Sequence, residues 1–188
     1  MSKALREHIH SIVALTDEEF EYVRSHFSAK HFRKHQLLVQ EGNYVTHDYF
    51  IEEGLTKTFS IDDEGKEHIL DFAMDGYWVT DVQALQQHKK ASLNIYCLKD
   101  CDTLSISGDN IEKLCAGLNK MQYYFRKKTI RQNIQLQRRI LCLIKNNAAD
   151  RYHDLAENYP ELIQKVPKTL IASYVGVSRE TLSRMLLK

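Results

Sequence analysis

The sequence predicts an α+β protein with three consecutive parts. From about residue 30 to residue 109, short apolar runs with a period of two alternate with turns rich in glycine and acidic residues, which is typical of β-strands. Before and after this segment, apolar residues recur every three or four positions, which is typical of amphipathic helices. We therefore expect a β-rich domain, then a long helix, then a small all-helical domain.

The first 27 residues are predicted to be helical. Thr16 and Glu19 have the spacing of a capping box, in which each side chain accepts a hydrogen bond from the other residue's backbone N–H. His8 and His10 lie two residues apart, so they point in different directions on a helix. We interpret these two histidines as surface residues rather than as metal ligands.

The next segment contains six short runs that we predict to be strands. Glycines and acidic residues form turn signals between several of them, at Gly42, Gly54 and Gly65. Many short strands at this spacing indicate a sandwich or a barrel. The predicted strands span residues 37–39, 49–51, 55–61, 68–72, 93–98 and 104–106.

Residues 109–148 are predicted to be helical again, with no proline to interrupt them. Apolar residues form more than one stripe along this segment, which indicates a helix that packs on several sides. The helix either pairs with a second copy of the chain or is buried within a monomer. A further helix follows at residues 152–159 and is broken near Pro160.

The strongest motif lies at residues 167–185. Pro167 suits the first position of a helix, Gly176 suits its end, and Ser178 suits the cap of the next helix. Apolar residues stand where two crossing helices would bury them, with a small residue at the crossing. This is the spacing of a helix-turn-helix, whose second helix enters the major groove of DNA. The apolar positions are Ile171, Val175, Val177, Leu182 and Met185, and the small residue is Ala172.

The outer face of the second helix carries Arg179, Glu180, Ser183 and Arg184. Arginine can donate two hydrogen bonds to guanine, and glutamate can accept one from the cytosine amino group. We predict that these four residues read DNA bases. The alternative is a helical hairpin whose polar face is merely solvated, since short motifs also occur by chance.

Charge is divided unevenly along the 188 residues. Residues 1–118 contain 12 Lys and Arg against 20 Asp and Glu, a net charge of −8, whereas residues 119–188 contain 14 against 5, a net charge of +9. This asymmetry indicates that the C-terminal part meets a polyanion and the N-terminal part does not.

Composition also bears on location and redox state. The chain is 43% hydrophobic, yet no run approaches the ~18–20 apolar residues that span a bilayer. The N-terminus lacks the pattern of a signal peptide, so we expect a cytoplasmic protein with no membrane partner. The cysteines have no C-x-x-C spacing and are expected to be free thiols. They are Cys97, Cys101, Cys115 and Cys142.

No catalytic or metal-binding set stands out in the sequence. The histidines of the β-rich segment are single and lack the H-x-H spacing that a cupin metal site needs. There is no Gly-rich phosphate loop and no recognisable Ser/His/Asp or Cys/His set. We expect neither enzymatic activity nor a bound metal.

Residues 178–181, Ser-Arg-Glu-Thr, followed by Arg184, resemble the recognition helix of the Crp–Fnr superfamily. The glycines at 42, 54 and 65 around Tyr49-Phe50-Ile51 resemble its cyclic-nucleotide-binding jelly roll, a double-stranded β-helix. The resemblance implies a sensor domain at 1–118, a dimerisation helix at 119–147 and a helix-turn-helix domain at 148–188. It also implies that Lys168, Thr169 and Ser178 lie near DNA phosphates. Since the sequence stops at Lys188, we expect no full wing after the recognition helix.

The resemblance also locates a phosphate cassette, a short helix between Trp78 and Ser92. Nucleotide-binding members carry Gly-Glu at the positions of Thr80-Asp81 and Arg-Ser at the positions of Ala91-Ser92. The glutamate holds the ribose and the arginine neutralises the cyclic phosphate, whereas Ala91 has no charge. Lys90 is nearby but lacks the planar fork of arginine. An uncompensated buried phosphate is unfavourable, so we predict that this diverged pocket does not bind cyclic AMP in the usual manner; retained binding of some nucleotide is the alternative.

These features predict a homodimeric, sequence-specific DNA-binding regulator of transcription. Its expected partners are a palindromic double-stranded DNA site and a second copy of the chain, with RNA polymerase as a further candidate. No cofactor is assigned, and an effector of unknown chemistry is left open. The alternative is a ligand-sensing jelly-roll protein in which DNA binding is weak or lost.

Overall fold

The structure is a computed structural model that describes residues 3–186 of the chain. Within that range, helices come first, strands follow, and helices complete the chain, so the predicted α+β class is confirmed. The elements are α1 (Lys3–His10), α2 (Asp17–Arg24), β1 (Ser28–Phe32), β2 (Leu37–Val39), β3 (His47–Glu53), β4 (Leu55–Ile61), β5 (Glu67–Met74), β6 (Trp78–Val79), α3 (Val82–Gln87), β7 (Asn94–Cys97), β8 (Cys101–Ser107), α4 (Gly108–Gly117), α5 (Asn119–Lys145), α6 (Ala148–Asn158), α7 (Pro160–Lys165), α8 (Lys168–Val175) and α9 (Arg179–Leu186).

The strands form two four-stranded sheets. One has the order β1-β8-β3-β6 and the other the order β2-β7-β4-β5. Strands that are distant in sequence are antiparallel neighbours, as in the pairing of Ser28 with Ser105 and of Phe50 with Leu104. This arrangement confirms the predicted jelly roll.

Each of the six predicted strands is present, and two further strands were not predicted. β1 is largely polar and is exposed or half-buried along its length, so it lacks the alternation that marks a strand in sequence. β6 has two residues, which is too short for any periodicity. Both strands are defined by their neighbours, since β1 pairs with β8 and β6 pairs with β3.

The two faces of β3 contact different cores. Phe50 belongs to a cluster that includes side chains of α1, α2, α4 and α5. Its neighbours Tyr49 and Ile51 belong to a second cluster that also contains Ile95 and Cys97 of β7. Because successive side chains of a strand point to opposite faces, this one strand separates the interior of the jelly roll from the layer of helices.

The capping box at the start of α2 is confirmed. The Thr16 N–H donates to Glu19 Oε2 at 2.8 Å, and the Glu19 N–H donates to Thr16 Oγ1 at 3.2 Å. Lys120 Nζ also donates to Glu19 Oε2 at 2.7 Å. The cap therefore fixes the start of α2 and also ties it to the first turn of α5.

The helical segment after the jelly roll is not continuous, contrary to the sequence prediction. α4 ends at Gly117, and Leu118 is extended with φ of −141° and ψ of 100° before α5 begins at Asn119. A Cβ on Gly117 would lie 2.2 Å from the Tyr22 hydroxyl oxygen, so the last residue of α4 passes close to that side chain. The apolar periodicity does not reveal the break at Leu118.

His8 was predicted to be a surface residue, and this prediction is wrong. The side chain is half-buried, its Nδ1 lies 2.8 Å from Tyr124 Oη, and its ring is edge-on to Phe50 at 5.5 Å. His10 is exposed, as predicted. The difference arises because α1 packs on the sheet through the turn that contains His8.

The chain divides into two compact units. One contains residues 1–60 and 72–129, and the other contains residues 61–71 and 130–188. The first unit therefore holds most of the jelly roll and the start of α5. The second unit holds the end of the β4–β5 hairpin, the rest of α5 and the helices that follow.

Candidate nucleic-acid interface and effector pocket

The predicted helix-turn-helix is formed by α8 and α9. Gly176 ends α8 with φ of 79°, and its N–H donates to the Ser173 carbonyl at 3.1 Å; a side chain would be strained at this φ. Ser178 caps α9, since its Oγ accepts from the Thr181 N–H at 3.2 Å. The sequence predicted Pro167 at the first position of the helix. In the structure Pro167 is the residue just before α8, which begins at Lys168.

The apolar side chains of the motif hold the two helices together. The most buried of them are at most 2% exposed, and truncating such a side chain typically costs about 2–5 kcal/mol. The inner faces of α8 and α9 are therefore committed to packing. The buried residues are Ile171, Ala172, Val175 and Leu182, and Val177 and Met185 are half-buried.

Arg151 of α6 joins the ends of two other helices, which the sequence did not indicate. Its Nε donates to the Val175 carbonyl at 2.7 Å and its Nη1 to the Asn146 carbonyl at 2.7 Å. These carbonyls lie at the C-terminal ends of α8 and α5, where no helical N–H is available to bond them. One guanidinium therefore fixes the entry to the turn of the helix-turn-helix.

A second arginine supports the outer side of α8. Arg139 of α5 lies over the Tyr174 ring, with Cζ 3.6 Å from the ring centroid, and donates to the Tyr174 carbonyl. Burial raises the pKa of Tyr174 well above its usual range, and Arg139 opposes this shift. The phenol therefore stays neutral and serves as a packing surface for the guanidinium.

The four residues predicted to read bases share one exposed surface. Arg179, Glu180, Ser183 and Arg184 are all exposed, whereas Leu182 of the same helix is buried. The Glu180 backbone N–H and the Ser178 hydroxyl lower the pKa of Glu180, so this carboxylate is ionised at neutral pH. The surface therefore offers two guanidinium groups and one carboxylate to a partner.

The three residues predicted to lie near phosphates are exposed as well. Lys168 and Thr169 are in the first turn of α8, and Ser178 stands at the start of α9. The Ser178 hydroxyl already accepts from the Thr181 N–H at 3.2 Å, and its oxygen lies 3.2 Å from Thr181 Oγ1. Ser178 therefore caps α9. Of the three residues, Lys168 is the one that carries a positive charge.

The cassette of the jelly roll is closed on itself. Asp81 is 2% exposed and caps α3, where one carboxylate oxygen accepts from the Ala84 N–H at 3.0 Å. The other oxygen accepts from the Ser92 N–H at 2.9 Å and from the Ser92 hydroxyl at 3.1 Å. Both oxygens of this buried carboxylate are thus engaged by the protein itself.

The backbone of Ala91, the position where the resemblance implies a cation, is hydrogen-bonded to the Gly42–Asn43 segment. The Ala91 N–H donates to the Asn43 carbonyl at 2.8 Å, and the Ala91 carbonyl accepts from the Gly42 N–H at 2.9 Å. Ala91 is 5% exposed, whereas Lys90 is exposed and forms a β-bridge with Tyr44. No cation of the described cassette is therefore buried beside Ala91.

The remaining two predicted pocket residues are engaged elsewhere. Thr80 Oγ1 donates to the His47 carbonyl at 2.9 Å. Trp78 is buried in the cluster between the sheet and the helices, and its Nε1 donates to Tyr124 Oη at 2.9 Å. Asp81 and Ser92 are thus brought together, but Trp78 does not join the apolar cluster that contains Ala91.

A cavity of about 210 Å³ lies beside β2 and the start of β3. Asn43, whose carbonyl bonds to Ala91, is among its lining residues. None of the six predicted pocket residues lines it. Sequence reasoning did not identify these positions. The lining residues are Leu37, Leu38, Val39, Gln40, Asn43, Tyr44, Val45, Thr46 and Tyr49.

A buried ion pair joins β3 to α5. Lys128 Nζ donates to Asp48 Oδ2, and the two side chains are 9% and 7% exposed. Lys128 Nζ also lies 4.0 Å from the centroid of the Trp78 ring, a cation–π contact. Asp48 Oδ1 has no hydrogen-bond partner within residues 3–186, and burial raises the pKa of Asp48 despite the opposing charge of Lys128.

The second half of α5 exposes an unusual amount of apolar surface. Seven large apolar residues between positions 130 and 144 are each at least 43% exposed, and Ile144 is 74% exposed. Four of them follow spacings of four, seven and three residues, close to a heptad repeat. These four are Ile130, Ile134, Leu141 and Ile144, and the other three are Leu136, Ile140 and Leu143.

Two negative findings apply to the part of the chain that the structure describes. Among residues 3–186, no three His, Cys, Asp or Glu side chains come together in a way that could hold a metal ion. Within the same residues, no helix has the length and apolar character needed to cross a membrane.

The chain is similar to known proteins over most of its length. Residues 29–117 match the cyclic nucleotide-binding domain family. The anaerobic regulatory protein of Haemophilus influenzae is 26% identical over 169 residues, a match that covers 84% of this chain and 65% of that protein. The chain therefore spans slightly less than two thirds of this curated relative.

Two solved structures share the fold. The c-di-GMP-responsive global regulator CLP of Xanthomonas campestris has a TM-score of 0.74 at 15% identity, over 92% of this chain and 90% of that one. A Crp/Fnr-family protein of Eubacterium rectale has a TM-score of 0.70 at 16% identity, over 92% of this chain and 82% of that one.

These matches say what the two levels of the chain are similar to. The jelly-roll segment, residues 29–117, is similar to the cyclic nucleotide-binding domain family. The chain as a whole is similar to the Haemophilus regulatory protein and shares its fold with the Crp/Fnr-family protein of Eubacterium rectale.

Proposed function

We propose that the chain is a homodimeric regulator of transcription that binds a palindromic DNA site through α9. The observation that carries this proposal is the division of α9 into two faces. Leu182 is 1% exposed and anchors one face, whereas Arg179, Glu180 and Arg184 are exposed on the other. Folding accounts for the inner face, and base recognition accounts for the composition of the outer one.

The charge of the surrounding chain supports a nucleic-acid partner. Residues 119–188 have a net charge of +9, and Lys168 is exposed at the start of α8. Contacts between such cations and phosphates release counterions, so binding should weaken steeply as the salt concentration rises. The Haemophilus relative is named a regulatory protein, which agrees with this role.

The exposed stripe of α5 supports dimerisation. An apolar surface of this size on a helix is typical of an interaction site, and the near-heptad spacing of Ile130, Ile134, Leu141 and Ile144 fits pairing with an identical helix. Two copies would present two α9 helices to successive major grooves, about 34 Å apart. RNA polymerase is a further candidate partner, and a cytoplasmic location stays a prediction.

The closed cassette supports regulation without cyclic AMP. Both oxygens of Asp81 are engaged by Ala84 and Ser92, and Ala91 offers no charge to a phosphate. We propose no enzymatic activity, no cofactor and no metal. If an effector exists, its chemistry differs from that of a nucleotide held in the usual cassette.

Selection of bound sequences from random DNA tests the DNA-binding role. The wild-type protein should select a palindrome. Arg179→Ala and Arg184→Ala should each lose about 1–3 kcal/mol of discrimination at one position of each half-site, as expected for a lost base contact. Lys168→Ala should weaken binding to all sequences alike and lower the salt dependence.

Lys165→Ala is the matched control, because Lys165 is an exposed lysine of α7 that pairs with Glu161 at 2.8 Å. It should bind as the wild type does. Unchanged sequence preference in both arginine variants would contradict the assignment of the reading face. Absence of any selected sequence would instead favour a ligand-sensing protein without DNA binding.

Sedimentation tests dimerisation separately. At micromolar concentration the wild type should sediment at twice the 22.0 kDa chain mass, and Ile134→Glu combined with Leu141→Glu should sediment as a monomer because charges would be buried at the interface. Arg131→Glu is the control, since Arg131 is exposed on the same helix outside the stripe. A monomeric wild type would contradict the dimer.

A further inference from the structure

Two arginines connect the second half of α5 to the helix-turn-helix. Among residues 130–145 of α5, only Cys142 is buried, so this segment has little apolar packing of its own against the helices that follow. Arg139 of α5 and Arg151 of α6 are both half-buried and donate to carbonyls of α8. Residues 130–188 are part of one compact unit, so these contacts lie within a single body of the protein.

The two arginines bond to adjacent carbonyls in the last turn of α8. Arg139 donates to the Tyr174 carbonyl and stacks on the Tyr174 ring, with Cζ 3.6 Å from the ring centroid. Arg151 Nε donates to the Val175 carbonyl at 2.7 Å. Carbonyls at the end of a helix have no helical N–H to bond them, so the two guanidinium groups supply donors that α8 itself cannot.

Arg151 bonds to the end of α5 at the same time. Its Nη1 donates to the Asn146 carbonyl at 2.7 Å, and Asn146 directly follows the last residue of α5. A planar guanidinium holds its donors in a fixed geometry, so these bonds fix the end of α8 relative to the end of α5. Arg139 lies about two turns earlier on α5 and gives α8 a second point of attachment. We call Arg139 and Arg151 the arginine clamp.

The clamp acts on α9 through α8. The first helix ends at Gly176 and the second begins at Arg179, so only a short turn separates them. Val175 and Leu182 are at most 1% exposed and belong to the apolar side that holds the two helices together. A clamp on the last turn of α8 therefore also orients α9 relative to α5. Its members are positioning residues, because their donors are engaged with carbonyls of the protein.

We propose that, in the homodimer proposed above, the arginine clamp determines which spacing between the two half-sites is accepted. Each α9 is carried by its own α5, so the angle between these two helices fixes the separation of the two reading faces. One additional base pair between the half-sites moves the second of them by about 3.4 Å along the duplex and turns it by roughly 35°. A clamped dimer therefore accepts one spacing, whereas a dimer without the clamp tolerates the neighbouring spacings.

Binding to operators of altered spacing tests this role. The palindrome that the wild type selects is synthesised with its half-sites unchanged and its centre lengthened or shortened by one or two base pairs. Wild-type affinity should fall about tenfold or more for a change of one base pair, because one half-site loses its base contacts. Arg139→Lys combined with Arg151→Lys should bind the original operator about tenfold more weakly, since its reading helices are no longer pre-organised. Its affinity should vary by less than about threefold among the spacings, and its base preference within each half-site should not change.

Lysine substitutions separate geometry from charge. Lysine keeps the positive charge but lacks the planar fork, so it would replace an arginine that only attracted DNA phosphates. Arg131→Lys is the matched control, because Arg131 is exposed on α5, and it should keep the wild-type spacing profile. Sedimentation and urea unfolding of each variant show whether it is still a folded dimer. If the double variant does not fold, the two single lysine variants carry the test.

Several results would overturn the spacing role. They are a wild type that tolerates neighbouring spacings, lysine variants that keep the wild-type profile, and equal broadening in Arg131→Lys. Altered base preference within the half-sites of the lysine variants would instead place the two arginines in the reading face. A wild type that selects no sequence contradicts the proposed DNA-binding role itself, and the spacing role is lost with it.

Discussion

The cassette of the jelly roll and the proposed reading face of α9, formed by Arg179, Glu180, Ser183 and Arg184, use their polar side chains in opposite ways. In the cassette, Asp81 is buried and accepts three hydrogen bonds from Ala84 and Ser92. On α9, Arg179 and Glu180 are exposed. One region completes its own hydrogen bonding, and the other leaves charged groups directed at solvent.

The difference separates polar residues whose presence is explained by folding from polar residues whose presence is not. Buried polar groups are stable only when they are paired, so the protein supplies the partners of Asp81 by itself and the cassette is complete without a nucleotide. Exposed charges need no partner for folding, so stability does not explain why α9 carries two arginines and a glutamate. The proposed DNA-binding role would explain them.

The largest expected effect concerns a third carboxylate, that of Asp48, which is buried like Asp81 but is not fully hydrogen-bonded. Asp48 has one oxygen bonded to Lys128 and one without a partner in the described chain. Lys128→Met should lower the free energy of unfolding by about 3–5 kcal/mol, because it leaves a buried charge unpaired. Asp48→Asn should cost less, about 1–3 kcal/mol. Urea unfolding measures both, and an equal or reversed order would contradict the assigned roles.

The same pair gives a pH dependence with a definite sign. Burial raises the pKa of Asp48 above its ordinary value of 3.8, so the folded state binds a proton more readily than the unfolded state does. Between the two pKa values, stability therefore rises as the pH falls. Wild type should gain stability relative to Asp48→Asn when acidified through this window. A relative loss would mean that attraction to Lys128 outweighs the desolvation of Asp48.

A smaller effect compares one acidic residue from each region. Asp81→Ala should lower the free energy of unfolding by about 1–3 kcal/mol, because α3 loses its cap and the Ser92 N–H and hydroxyl lose their acceptor. Glu180→Ala should change it by less than about 0.5 kcal/mol, as is usual for exposed positions. Thermal or urea unfolding of the two variants measures the contrast. Equal losses of unfolding free energy in the two variants would contradict a structural role for Asp81 that Glu180 does not share.

The smallest expected effect is the absence of a response to cyclic nucleotides. Calorimetry of the wild type with cyclic AMP and with cyclic GMP should show no binding in the micromolar range, because Ala91 provides no charge and both Asp81 oxygens are engaged. Ala91→Arg should not restore binding by itself, since Asp81 still caps α3 and holds Ser92. Micromolar binding by the wild type would show that the diverged cassette still accepts a nucleotide.

Features that depend on a few neighbouring residues were predictable from the sequence. The capping box of Thr16 and Glu19, the turn at Gly176 and the apolar spacing of α8 and α9 each depend on a few neighbouring residues, so their patterns are visible in the chain. The six predicted strands were found for the same reason. The absence of a charge at position 91 was also visible in the sequence, because the residue type alone shows it.

Features that join residues distant in the sequence were visible only in the tertiary structure. The bond from Arg151 to Val175 and the pairing of Lys128 with Asp48 depend on how strands and helices are brought together, and no periodicity encodes such contacts. The break at Leu118 was likewise visible only in the structure. Local backbone preferences are set by adjacent residues, whereas burial and pairing are set by the whole fold.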